Sequence, residues 1–316
     1  AGMGLLWVIL AANAAKYPFF EFGSRYASAS GESLIEGFRT LGRGASLLYL
    51  ALTLGTCFFV MAAVGMVTGA FLDNLLGVSA RIGSPVTSEV TVGVFLLCAG
   101  LLLGGQFNVL DKLIKVLAAV LVVSTVVAVA LALAAPPPAT VAPQAWSWTT
   151  PSGLAFVIAL MGWMPSAVDL STWNSFWTLE RIRTSGYKPT LRETLKEFNA
   201  GYAISVVLAL GFLLLGTLLL HRTGSSLPDG SAAFASGIVA LYAGSMGEWS
   251  APIMGAAAFS AMFSTCITVM DGYSRSLSRA WASVTHCALR PETQRLAVGG
   301  IASARLDVVL AINGRL

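Results

Sequence analysis

The residues able to do chemistry gather in an otherwise apolar stretch, Gly153 to Asn174. There Met164, Ser166, Asp169, Ser171, Thr172 and Asn174 surround Pro165. Pro165 has no N–H, and its ring clashes with the carbonyl four residues back, that of Met161. Gly162 weakens a helix at the same level. The pattern predicts a broken helix whose freed carbonyls, Met161 first, lie beside the Met164 thioether. Soft sulfur selects transition ions over calcium or magnesium, and Asp169 and the hydroxyls add oxygen ligands. Binding a cation is one reading. The other is a proline kink with a packed methionine and an Asp bonded to a neighbouring helix.

Ionisable groups inside apolar stretches are costly, and function is their default explanation. Besides Asp169 there are Lys16 and Glu21, on either side of Pro18, and Asp271. Lys16 and Glu21 are five apart, so on an ideal helix they point about 140° from each other. A kink at Pro18 would change that. Glu21 precedes Arg25 by four, the favourable order for a pair. A structural ion pair is the first expectation for these residues, and proton passage the second. Asp271, followed by Gly272, lies nearer the cytoplasmic end, where solvation and an ion-pair or proton role stand equally as expectations.

Covalent chemistry has no foothold. There is no P-loop or nucleophile motif. His221 and His286 are far apart, and no His, Cys, Asp and Glu spacing suits zinc. Cys57, Cys98, Cys266 and Cys287 have no paired spacing, so buried free thiols are expected. The expectation is a protein that is not an enzyme and carries no cofactor.

The elements positioning these residues must be membrane helices. Of 316 residues, 56% are apolar and 11% charged, against roughly 25% charged in a soluble domain. The mean hydropathy is +0.77. A hydrocarbon core of about 30 Å needs about twenty apolar residues as a helix. On that ruler seven spans emerge, near 4–29, 46–76, 88–105, 109–135, 152–178, 198–220 and 250–283. The stretch 231–246 looks like a helix at the membrane interface. No stretch alternates as a membrane barrel requires. The fold class is all-α, a polytopic membrane protein with a bundle over 1–283. A polar, poorly ordered cytoplasmic tail is expected over 284–316.

Basic residues alternate between connections. Arg39 and Arg43, then Lys112 and Lys115, then Arg181 to Lys196 mark one side, and the connections between them are nearly bare. By the positive-inside rule the first residue is outside and the last inside. The excess behind a pI of about 9.0 is thus an insertion signal, with no groove-like run for nucleic acid. An outside start without a leader suggests a missing upstream helix, and both ends read as cut. The bacterial inner (plasma) membrane is the expected location, with the lipid bilayer as partner.

Smaller signals are structural. Gly65/Gly69 and Gly100/Gly104 are spaced for close helix packing. Ser33 and Glu36 have capping-box spacing. Pro136, Pro137, Pro138, Pro143 and Pro151 predict a stiff connector, and Trp146 and Trp148 suit an interfacial belt.

With these residues in view, the chain resembles the Nramp (natural resistance-associated macrophage protein) family of divalent-metal transporters. The stretch from Gly4 to Asn13 resembles the start of that family's second helix. Met164-Pro165-Ser166 matches the Met-Pro-His break of its sixth. The resemblance covers residues 1 to about 283, as helices two to eight of an incomplete LeuT-like inverted repeat. It implies metal and proton symport by alternating access, with a divalent metal as cargo, ligated by the Met164 sulfur and the Met161 carbonyl. The sequence departs from the family pattern at Ser166, where the family has His. It lacks an Asp-Pro-Gly-Asn motif and has no acids between Ala62 and Gly69. Two other readings stand beside it. One is a LeuT-like transporter of a small organic solute held by Lys16 or Asp169; the other is an inactive membrane fragment.

Overall fold

A computed structural model describes residues 2–104, 107–134, 147–218 and 230–285. Among the described residues the regular structure is all helical. In chain order the helices are α1 (Leu6–Ser30), α2 (Leu34–Thr40), α3 (Arg43–Leu76), α4 (Val78–Ile82), α5 (Thr87–Gly104) and α6 (Phe107–Ala134). They continue with α7 (Pro151–Trp163), α8 (Trp173–Ser185), α9 (Leu191–Gly216), α10 (Ser231–Met246) and α11 (Ala251–Thr285). Single 3-10 turns cover Gly2–Leu5, Val168–Thr172 and Glu248–Ser250.

Five stretches among the described residues are long and apolar enough to cross a membrane: Gly2–Ser30, Arg43–Leu76, Pro151–Ser185, Leu191–Gly216 and Glu248–Thr285. At about 1.5 Å per residue each exceeds a hydrocarbon core of about 30 Å. Large apolar side chains such as Phe19, Phe59 and Val207 stand exposed on them, a surface suited to lipid. The chain is an integral, all-helical, polytopic membrane protein.

Helix ends follow local chemistry. Gly31 closes α1 with φ 74°, the left-handed cap that glycine adopts without penalty. Both halves of the expected capping box form at α2, where the Glu36 N–H donates to Ser33 Oγ and the Ser33 N–H to Glu36 Oε2. A second box, Thr190 with Glu193, starts α9. Thr150 caps α7, with Pro151 in the first turn, where its missing N–H costs nothing.

Contacts divide the chain into two compact units. One comprises Ala1–Thr53, Pro137–Ser225 and Arg279–Ala288. In it α1 packs against α7, α8 and α9. Gly23 permits this: a Cβ there would sit 2.6 Å from the Ser171 carbonyl oxygen. Arg279 bonds Glu36 at 2.8 Å, tying the end of α11 to α2.

The other unit comprises the described residues of Leu54–Pro136 and Ser226–Ser278. A Cβ on Gly65 would lie 2.1 Å from the Phe95 ring, and one on Gly69 2.0 Å from Thr91 Oγ1, so α3 and α5 pack as closely as their glycines allow. Gly100 does not share this role, since among the described residues nothing lies within 4 Å of its Cβ position. Helix α10, expected at the interface, buries Ala235 with Ala70 and Phe71 of α3. Its Tyr242 is buried too, with its hydroxyl 3.1 Å from that of Thr125 on α6. One face of α10 is therefore packed on protein. Cys57, Cys98 and Cys266 are buried free thiols. Trp148 is exposed. Pro136 to Pro138, Pro143, Trp146, His221, Cys287 and the tail from His286 lie outside the described residues, as do the side chains of Lys112 and Lys115.

Candidate functional site

The fifth expected span, 152–178, is two helices with a non-helical link. The Met164 N–H closes the last turn of α7 on the Leu160 carbonyl at 2.9 Å. Met164 itself is extended, with φ −98° and ψ 125°. Pro165 follows through a cis peptide, Ala167 is again extended, and the turn Val168–Thr172 leads into α8. The chain thus leaves the helix one residue before the proline, whose missing N–H deprives the Met161 carbonyl of its helical donor.

Two carbonyls, one in the last turn of α7 and one in the link, already meet the Lys16 side chain. Lys16 Nζ donates to Gly162 O at 2.7 Å and to Ser166 O at 2.8 Å. Residues on either side of the break are thereby joined through one ammonium on α1. Hydrogen bonds to a charged donor contribute roughly 1.5–3 kcal/mol each, so this bridge outweighs an ordinary side-chain contact. The expected structural ion pair forms without Lys16. Glu21 is buried and receives Arg25 at 2.6, 3.0 and 3.1 Å. Lys16 is five residues from Glu21, on a different face of α1, and it turns to the backbone acceptors instead.

Helix α1 is fixed on this side by further polar contacts. Tyr202 Oη donates to the Asn13 carbonyl at 2.7 Å, and Tyr17 Oη to Asn199 Oδ1 at 2.6 Å. Asn13 is buried one turn before Lys16. Its Nδ2 bonds the Ile9 carbonyl, while its Oδ1 has no hydrogen-bond partner among the described residues. Asn13, Tyr17, Asn199 and Tyr202 were not among the expected site residues. Asn13 and Lys16, three apart and so on one face of α1, are the sequence signal that points to this side of the helix.

The other expected residues divide. Met161 packs its side chain with Leu5, Val8, Val157, Leu160 and Leu213, leaving only its carbonyl for a ligand. Met164, Ser166 and Asp169 are half-buried at the link. The Asp169 carbonyl accepts from Thr172 Oγ1 at 2.9 Å, and Thr172 also meets the Tyr49 hydroxyl at 2.7 Å. Asn174 lies past the break, where its Nδ2 donates to the Phe20 carbonyl at 3.1 Å. In the second unit Asp271, for which solvation and an ion-pair or proton role were both open, is buried and receives Arg275 Nε at 2.8 and 2.9 Å, the arginine one turn on supplying the counter-charge.

A cavity of about 510 Å³ opens between α1, α8 and α9, lined in part by Ser24, Asn174, Trp177, Thr194 and Phe198. Arg181 pairs with Glu197 among its walls. Tyr187, also lining it, has its hydroxyl pushed above the usual phenol range by the hydrogen bond it donates to Glu193 and by that group's charge. Among the described residues no group of three or more His, Cys, Asp or Glu could hold a metal ion. Near the break the polar atoms are a thioether, backbone carbonyls, the Ser166 hydroxyl and the side chains of Lys16 and Asp169.

No family model matches the chain, and no solved structure matches it. It is similar to the uncharacterized protein PM0681 of Pasteurella multocida (strain Pm70), 36% identical over 278 residues, which is 87% of this chain and 63% of that protein. The chain therefore spans less than two thirds of the relative it matches, and the relative's printed name gives no activity.

Proposed function

We propose that the chain forms the substrate-binding part of a secondary transporter that moves divalent metal ions of the manganese or iron type by alternating access. One observation carries this reading: a membrane-length helix, Pro151–Ser185, is interrupted at Met164-Pro165 with carbonyls turned from their helical partners. Irregular backbone at membrane depth is tolerated where it lines a cavity or is buried in protein, and broken helices are where transporters bind ions and solutes. The Met164 sulfur and the Met161 carbonyl are the proposed ligands, with Ser166 and Asp169 nearby. Seven spans, an outside first residue, a LeuT-like arrangement and proton coupling belong to the same proposal.

The Lys16 ammonium sets a condition. Two unit charges 4 Å apart at an effective dielectric of 20 interact by about 4 kcal/mol, and a dication doubles this. Lys16 must therefore withdraw, or give up its charge, as the metal arrives. The same ammonium favours a second reading, a small organic solute whose carboxylate pairs with Lys16.

The test is uptake by the complete protein in proteoliposomes. Manganese and cadmium should accumulate, and Met164→Ala should reduce accumulation to the level of empty vesicles. Uptake unchanged by the substitution removes the ligand assignment. A wild-type protein that moves neither ion, and shows no bound metal by anomalous scattering, transfers the case to the organic solute.

A further inference from the structure

We propose that the carbonyls of Gly162 and Ser166 form a monovalent-cation site that the chain fills with its own Lys16, so that no dissolved ion is needed there. The two oxygens lie on opposite sides of Pro165, and one Nζ reaches both, at 2.7 and 2.8 Å. Lys16 comes from another helix, 146 and 150 residues away in sequence. The two acceptors therefore converge through the fold and not through local chain geometry. An ammonium donates three hydrogens, and two are used here.

Gly162 is exposed and Ser166 half-buried within the membrane-length stretch Pro151–Ser185, and at membrane depth, where water cannot replace a donor, a carbonyl left without one is costly. The site therefore stabilises the break only while a cation occupies it. Tethering supplies that cation at a high effective concentration and spares the protein a dependence on free sodium or potassium. Leaving the site uncovers both carbonyls, so Lys16 acts as a positioning residue for the broken helix. The inference stands on the Lys16 geometry and does not depend on the cargo being a metal.

Removing the tether should create a vacancy that small cations fill. Lys16→Met and Lys16→Gln would be prepared in the complete protein in lipid nanodiscs and melted at constant ionic strength. Ammonium, methylammonium, sodium or choline chloride would be present. Lys16→Met should melt lower than wild type and recover half or more of the loss with ammonium or methylammonium. The recovery should saturate with concentration, whereas choline is too bulky to restore anything. Wild type should respond to none of them differently from choline.

Lys16→Gln keeps a neutral donor for one carbonyl and should show a smaller loss with the same rescue. It carries the comparison if the methionine variant does not fold. Equal melting of wild type and both variants overturns the proposal, as does a salt response identical in all three. Rescue in a protein that transports no metal would refute the metal reading alone. Metal uptake without rescue would refute this inference alone.

Discussion

Lys16, Glu21 and Asp271 are three charges in apolar helices, and they find their partners in two ways. Glu21 and Asp271 have arginines four residues on, so each pair forms within one helix and needs no tertiary partner to align it. Lys16 has no acid on its face of α1 and bonds backbone oxygens from another helix. Breaking a buried pair by removing one partner destabilises by about 3–5 kcal/mol, whereas replacing both members with apolar groups is often close to neutral. Asp271→Asn should therefore lower the melting temperature of the protein in detergent, and Asp271→Asn with Arg275→Met should recover most of the loss. A double variant no better than the single one would show that the pair is not the reason for burying the carboxylate.

Among the elements, α3 and α7 show opposite uses of small and helix-breaking residues. At the end of α7 a proline breaks the helix, and the carbonyls of Gly162 and Ser166 take the Lys16 side chain. In α3 two glycines keep the helix unbroken and remove side chains from a crowded contact with α5. Gly69→Ala would place a methyl 2.0 Å from Thr91 Oγ1. Thr91 already donates to the Thr87 carbonyl at 2.8 Å, so its side chain has little freedom to turn away. The substitution should cost about 1–3 kcal/mol, as overpacking does, with a lower melting temperature. Gly100→Ala, with open space at the same position, should cost far less. Equal effects at both sites would mean that the α3–α5 approach does not discriminate.

For the whole molecule, orientation is the property that the alternating basic connections predict. Thr149 and Lys188 flank the broken span and are both exposed. On a background without native cysteines, Thr149→Cys should react with an impermeant thiol reagent added outside intact cells. Lys188→Cys should react only after the cells are opened. Labelling of both from one side would show that Pro151–Ser185 does not cross, and the reverse pattern would invert the molecule.

Composition, span length and the position of Pro165 were decided by the sequence itself, because each rests on local physics. Apolar content sets the solvent, and about 1.5 Å per residue sets the reach. A missing N–H removes one helical bond wherever a proline stands, although α1 continues through Pro18 while α7 ends ahead of Pro165. The capping box at Ser33 and the pairing of Glu21 with Arg25 were legible for the same reason, since the partners are three and four residues apart. The Thr190–Glu193 box is local in the same way, its partners three residues apart. What the freed carbonyls bond to was decided only by the tertiary structure. Lys16 meets Gly162 and Ser166 across about 150 residues, and no periodicity in the chain records a contact made by folding one helix against another. The same holds for Gly65 and Gly69 against Gly100: identical spacing gives close packing only where a neighbouring helix stands opposite.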